Sequence, residues 1–336
     1  MESTPNEDPS RPLSSVASSF PLLVYDYDHG DPPDIYQTVL SAADGSTRTF
    51  QVPEMRGHAC LETPCGLVLA VDSVSLRCSL WNPQTGAKIA LPAMDRALPE
   101  SCRCLLSDAV SSPDCLVLVY TFGEPELLFC QVRGGGAWVT QSYDVGTYEI
   151  PGIVRAAPKK RYIQDMAAVR GKFYFFESPN VLGVFAVARR GPHPHLETGT
   201  RYLPFICDAP QVVTLSYLLE SCGDLFLVCL FYPGCSFERL EEVAAYRMDF
   251  AKHEWCKVAD IGDRVFLLGP ANFAASCPAT EHGLKKGCVY FAYDFLWDSN
   301  EFHIFDLKEG TRELAAPTQD IPVLSRKPFW MVPVVP

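Results

Sequence analysis

Six short apolar runs recur along this chain at near-regular spacing. They are "PLLVYDY" from Pro21, "CGLVLAV" from Cys65, "DCLVLVY" from Asp114, "GKFYFFE" from Gly171, "GDLFLVCLF" from Gly223 and "GCVYFAY" from Gly287. All but the first are introduced by a Gly- or Asp-containing turn. Runs of this length, rich in β-branched and aromatic residues and apolar throughout, read as strands covered on both faces. The starts at 21, 65, 114, 171, 223 and 287 lie 44, 49, 57, 52 and 64 residues apart. Blades of a β-propeller take ~40–50 residues, and loop insertions lengthen them. Long helical periodicity is nearly absent, and the 28 prolines are scattered, as suits turns and sheet edges. The best helical candidate, "SFERLEEVAAY" (residues 236–246), reads either as a short helix in a loop or as a loop leading into a strand.

A hairpin follows each central run. "LWNPQTGAKIALP" (residues 80–92) aligns with "IFDLKEGTRELAAP" (residues 304–317), which matches Trp81 with Phe305, Asn82 with Asp306 and Gly86 with Gly310. In "RMDFAKHEWCKV" (residues 247–258) Asp249 stands with Asp306, and His253 takes the Gly place. Residues 127–139 and 39–53 are looser copies. Asn or Asp ends a strand by accepting hydrogen bonds from the backbone of the turn. Pro83 presets φ, and Gly86 or Gly310 supplies a positive φ at no steric cost. A further strand precedes each later run: "HACLE", "CRCLLS", "IQDMAAV", "VVTLSYLLE" and "FAASC". Each unit is thus four strands. The first lacks its leading strand, and "PFWMVPVV" (residues 328–335) is a strand left over. A ring has no exposed edge only when its ends share one sheet. The sequence therefore predicts an all-β propeller of six blades, with the C-terminal strand completing the N-terminal blade. Seven blades follow if the 223–287 interval conceals another. Residues 20–336 are expected to form this single domain, and the polar residues 1–19 a disordered lead-in.

Charge and composition narrow the function. The formal charge of −12 repels phosphate backbones and anionic lipid, so neither nucleic acid nor a membrane is an expected partner. No apolar run reaches the ~20 residues of a membrane span, and the N-terminus lacks the basic and apolar regions of a secretory signal. Many of the 14 cysteines, such as Cys115, Cys130, Cys229 and Cys288, lie inside apolar runs, where a reduced thiol packs as a small hydrophobe. A monomer in the cytoplasm and/or nucleus is expected.

"GLVLAV…CSLWNPQTGAKIALP" resembles the start of plant F-box-associated β-propellers. The second half is more specific. "YLLESCGDLFLVCLF", "YRMDFAKHEWCKVADIGDRVFLLGP" and "HGLKKGCVYFAYDF…FHIFDLKEGT" resemble the plant KIB-type β-propeller family, a domain of unknown function. The resemblance covers nearly all of the chain after residue 20. It implies a non-enzymatic propeller that recruits a protein target, in a family whose members often carry an N-terminal F-box. The first 20 residues show no F-box helices, so the sequence is either a propeller-only member or truncated at its start, and binding to a ubiquitin-ligase scaffold is not expected of it as given. WD-repeat signatures are absent, and the Gly-Gly pair of kelch-like repeats occurs only near Gly134 to Gly136.

Motifs that could carry chemistry are sparse. "DYDHGD" from Asp26 starts like a Ca²⁺ loop, but Gln37 holds the place of the bidentate Glu, so it reads as a turn. His193 and His195 in "GPHPH" lack two further ligands at metal spacing. Cys102 and Cys104 in "CRC" point to one face of a strand, as core residues do. No nucleophile elbow and no phosphate loop is present, and no cofactor is implied. Two surfaces remain for a protein partner. One is the basic "APKKRY", with Lys159, Lys160, Arg161 and Tyr162 facing an acidic peptide. The other is the long segment of residues 269–286, with His282, Lys285 and Lys286, joined by Trp297 as an aromatic anchor. The alternative function is a small-molecule or carbohydrate site, binding or hydrolytic, in the central channel. It requires carboxylates converging there.

Overall fold

In the computed structural model, residues 19–26, 36–99, 101–148, 158–188, 194–203, 212–234, 239–292, 302–316 and 328–334 are described. They form a six-bladed β-propeller. The first blade begins with β1 (Leu22–Asp26), β2 (Tyr36–Ser41) and β3 (Thr47–Gln51). The second is β4 (His58–Glu62), β5 (Val68–Asp72), β6 (Cys78–Trp81) and β7 (Lys88–Leu91). The third is β8 (Cys102–Leu106), β9 (Leu116–Thr121), β10 (Glu126–Gln131) and β11 (Val139–Ser142). A two-stranded ribbon, β12 (Thr147–Tyr148) and β13 (Lys159–Lys160), leads to the fourth blade. That blade is β14 (Met166–Val169), β15 (Lys172–Ser178), β16 (Val181–Ala188) and β17 (His195–Tyr202). The fifth is β18 (Val212–Ser221), β19 (Asp224–Pro233), β20 (Glu242–Asp249) and β21 (Glu254–Val258). The sixth holds β22 (Arg264–Gly269), β23 (Phe273–Pro278), β24 (Cys288–Ala292), β25 (Phe302–Asp306) and β26 (Thr311–Ala316). The closing strand is β27 (Phe329–Met331).

The middle of each blade's second strand is apolar because a neighbouring blade covers each of its faces. In β9, Val117 and Val119 enter the seam with the second blade, while Leu116, Leu118 and Tyr120 enter the seam with the fourth. Six apolar clusters result, one in each seam of the ring. Cys102 and Cys104 sit together in the seam between blades two and three. All twelve cysteines among the described residues are free.

The hairpins share one turn geometry. Asn82 Oδ1 accepts the backbone N–H groups of Gln84 and Thr85, and Gly86 donates back to the Asn82 carbonyl at φ +75. Asp249 accepts Ala251 and Lys252, with His253 at φ +58; Asp306 accepts Lys308 and Glu309, with Gly310 at φ +65. Asp72 makes a fourth copy with Val74, Ser75 and Leu76 (φ +55), inside the second blade. Trp81 is buried behind its turn, between blades one and two.

The sixth blade departs from the four-strand unit. β23, the segment "FAASC", does not pair with the central run β24. Strand β22 lies between them, antiparallel to β23 and parallel to β24. The long 223–287 interval thus holds an extra strand and no seventh blade. Both faces of β22 are covered: Phe266 and Leu268 pack toward blade five, Val265 and Leu267 toward blade one. The described part of the helical candidate is a short lead-in, residues 239–241, followed by strand β20. Val243 and Ala245 face blade six there while Ala244 and Met248 face blade four, the period-two burial of a strand.

Closure rests on β27, which pairs antiparallel with β1: Leu22 opposite Met331, Leu23 opposite Trp330, Val24 opposite Phe329. Trp330 donates its indole N–H to the Leu268 carbonyl of blade six at 2.9 Å. On the other side, the chain after β27 crosses blade two. Val334 N–H donates to Gln84 Oε1 at 2.8 Å, and a Cβ on Gly66 would lie 2.6 Å from the Pro333 carbonyl oxygen. Gly66 also has φ +88, so both space and backbone require glycine there. No helix among the described residues is long and apolar enough to cross a membrane.

Candidate functional site

The inner strands β4, β8, β14, β18, β23 and β27 line the axis of the ring. The face on which they begin is the entry face, and the face on which they turn back is the turn face. Ribbon β12–β13 connects the third blade's outer strand to the fourth blade's inner strand, so it belongs to the entry face. Lys159 and Lys160 form its second strand, opposite Tyr148 and Thr147, and Arg161 N–H donates to the Gly146 carbonyl. The three basic side chains are exposed, and Tyr162 is half-buried. His282, Lys285 and Lys286 lie between β23 and β24, on the turn face. The two surfaces singled out by sequence are therefore on opposite sides of the ring. Lys285 is spent on Asp306 (3.6 Å) and Glu313 (3.9 Å), and its N–H donates to the Tyr290 hydroxyl. Burial lowers the pKa of half-buried His282. Trp297 and His193 lie outside the described residues. So does most of "DYDHGD"; Gln37, at the Ca²⁺-loop Glu position, instead accepts Val52 N–H.

A charged knot that sequence reading did not find occupies the channel near the entry face. Arg103 of β8 is 6% exposed. Its Nη1 lies 3.3 Å from Glu62 Oε1 of β4 and donates to the Pro270 carbonyl at 3.3 Å. Its guanidinium stands 5.0 Å over the Phe273 ring. Asp165, directly before β14, accepts the Leu218 N–H of β18, while its Oδ1 has no hydrogen-bond partner among the described residues. Asn272 ties the same level together by donating to the Gln164 carbonyl at 3.0 Å. Burial pushes the Asp165 carboxyl up to about 7, against the opposing pull of the Leu218 N–H and Arg103. Burial likewise raises Glu62, with Arg103 opposing. The signal was faint: one charge inside each of three apolar inner segments, "HACLE", "CRCLL" and "IQDM".

Beyond the knot, toward the turn face, the channel widens into a cavity of about 320 Å³. Leu105, Met166, Leu218 and Ala274 are among its walls; Met166 and Ala274 directly follow Asp165 and Phe273, Leu105 lies two residues after Arg103, and Leu218 donates its N–H to Asp165. Its mouth is made of inner-strand turns, including Asp108, Arg170 and Gly223. The knot lies on the entry-face side of this well.

Residues 39–311 match the KIB1-4 beta-propeller family. This chain belongs to the KIB1-4 β-propeller family. A curated relative, the F-box protein At2g17036 of Arabidopsis thaliana, is 29% identical over 138 residues, covering 35% of this chain and 33% of the relative. The match thus spans a third of that relative's length. Among solved structures, Hsv2 of Kluyvelomyces marxianus is 13% identical with a TM-score of 0.33, over 67% of this chain and 66% of that one. Apo AztD of Citrobacter koseri is 11% identical with a TM-score of 0.34, over 87% and 93%. Likenesses this distant carry no argument.

In this KIB1-4 propeller each channel carboxylate has a partner on one oxygen. Glu62 faces Arg103, and Asp165 holds a backbone N–H behind the floor of the well. At the mouth, Asp108 accepts Ala109 N–H and Glu220 accepts Gly223 N–H. No group of three or more His, Cys, Asp or Glu among the described residues could hold a metal ion. The well offers apolar walls and one cationic group, Arg170, whose side chain is 74% exposed.

Proposed function

We propose that this KIB1-4 propeller is a non-enzymatic protein-interaction module of the cytoplasm and/or nucleus. Its entry face takes an acidic segment of a protein partner along ribbon β12–β13. The observation that carries this reading is the ribbon itself. Lys159, Lys160 and Arg161 stand in a row, exposed, with no ion pair among the described residues, on a chain of net charge −12. Tyr148, exposed beside them, adds an aromatic surface. A basic row on an acidic body selects an acidic partner and repels the rest of the like-charged pool. The family, and the F-box protein among its relatives, support a role connected with target recruitment in ubiquitin-ligase systems.

The test is affinity capture from plant tissue followed by mass spectrometry. The intact chain is compared with a Lys159→Glu/Lys160→Glu/Arg161→Glu form of equal thermal stability. The reading expects a reproducible protein partner that the charge-reversed form loses. Identical partner sets would refute the ribbon as the docking surface.

A further inference from the structure

We propose that the well on the turn face binds a compact apolar small molecule bearing a single carboxylate, with Arg170 as the recognition group. This inference goes beyond the partner-binding reading and does not rest on it, because the ribbon is on the opposite face.

Three observations converge. The first is shape and lining. About 320 Å³ is within the range of small-ligand pockets, which are concave, mostly apolar and carry few polar groups. The walls come from Leu67, Leu105, Leu106, Met166, Leu218 and Leu219. The second is which polar groups at the mouth remain available. Asp108 and Glu220 each already accept a backbone N–H, as described above. Arg170 has only a 3.7 Å contact with Asp224, itself half-exposed and shared with Arg247 at 3.9 Å. An exposed pair at that distance contributes little and yields readily to a better-placed carboxylate. Arginine offers a planar fork that matches a carboxylate with two hydrogen bonds.

The third observation is how Arg170 is held. It has φ +50 and is followed by Gly171 at φ +75, the two-residue hairpin turn that normally takes Asn-Gly or Gly-Gly. A long side chain in the left-handed region costs free energy that Gly or Asn would spare. The neighbouring inner turn makes room for it. A Cβ on Gly223 would lie 3.2 Å from Arg170 Nε, so the guanidinium rests on the bare backbone of that turn at the rim. A strained backbone, a glycine beneath the guanidinium and an apolar well beside it together set one cation over one apolar space.

The test titrates 2-naphthoate into the full chain by calorimetry, with 2-naphthol as the uncharged comparator. Wild type is expected to bind naphthoate saturably and to melt at higher temperature in its presence. Arg170→Met should weaken naphthoate at least about tenfold and leave naphthol unchanged. Ala168→Leu and Val110→Trp fill the well from the inner strand and from the mouth loop, and either should abolish binding of both compounds. Far-UV dichroism and the melting midpoint establish that each variant is folded. The proposal is overturned if naphthoate shows no saturable binding up to about 1 mM. It is equally overturned if Arg170→Met binds naphthoate as wild type does, or if a folded filled-well variant still binds.

Discussion

Replacing Asp165 by Asn isolates the electrostatics of the channel knot. The Asp165 carboxyl is raised to about 7 in the folded chain, chiefly by burial, whereas an unfolded aspartate titrates near ~3.9. The charged and titratable groups around it are Arg103, Glu62 and Tyr120. Between those two pKa values the folded state holds a proton that the unfolded state has released. Stability therefore falls as pH rises through this window and levels off above about 7. Each unit is ~1.4 kcal/mol, so between pH 5 and pH 7 the carboxyl removes up to ~3 kcal/mol. At ~2 °C per kcal/mol for a chain of this size, the midpoint drops by ~6 °C. Asn keeps an oxygen for the Leu218 N–H and cannot ionise, so it imitates the protonated side chain. Near-ultraviolet dichroism melts at half-unit pH steps should show the two proteins closest near pH 4 and separating as pH rises to about 7, with the Asn form more stable and the gap level above that. A difference between them that stays constant across that range would refute a buried, proton-holding Asp165.

Three further outcomes follow from the same structure. Arg103→Met leaves Glu62 and Asp165 buried without their cation and should cost ~3–5 kcal/mol in urea unfolding, while adding Glu62→Gln should recover part of it. Trp330→Ala removes a side chain 1% exposed and its hydrogen bond to Leu268, costing ~3–5 kcal/mol. Hydrogen exchange should quicken first in β1, and unchanged protection of β1 would contradict its role in closure. Asp306→Ala removes the acceptor for Lys308 and Glu309 and should cost ~1 kcal/mol at neutral pH. The Glu309 N–H leads the groups that lower the Asp306 pKa, so its contribution is present above the ordinary carboxylate range and disappears as pH falls through the lowered value. The two proteins should therefore converge in strong acid.

What the sequence disclosed and what it withheld separate along one physical line. The central strands were legible because each is sandwiched between blades and is apolar along its middle, as β9 is from Leu116 to Tyr120. The hairpins were legible because their chemistry is local: Asn82 and Gly86, or Asp306 and Gly310, are four residues apart and hydrogen-bond one another. His253 could even be placed at a glycine-like position by alignment alone. Strand β22 was not legible as part of the sixth blade. "RVFLLG" reads as one more apolar run, and its parallel pairing with β24 is decided by space between blades five and one. The knot was hidden for a related reason. Glu62, Arg103 and Asp165 are far apart in the chain and meet only because the ring brings the inner strands to one axis. Contiguous "KKR" stood out, whereas Arg170 did not, since a lone arginine acquires meaning only from the turn and the cavity around it.

The closure by β27 bears on the order of events during synthesis. Every residue from Leu22 to Phe329 must leave the ribosome before β1 gains its partner on the axis side. Until then Leu23 and Tyr25, both destined for the seam with blade six, have no Trp330 to cover them. From the synthesis of β1 until that of β27, the nascent chain thus carries an open sheet edge and an uncovered apolar face, the condition under which strands find wrong partners. Keeping that edge from other strands until β27 arrives is therefore a condition of correct folding that the finished ring no longer displays.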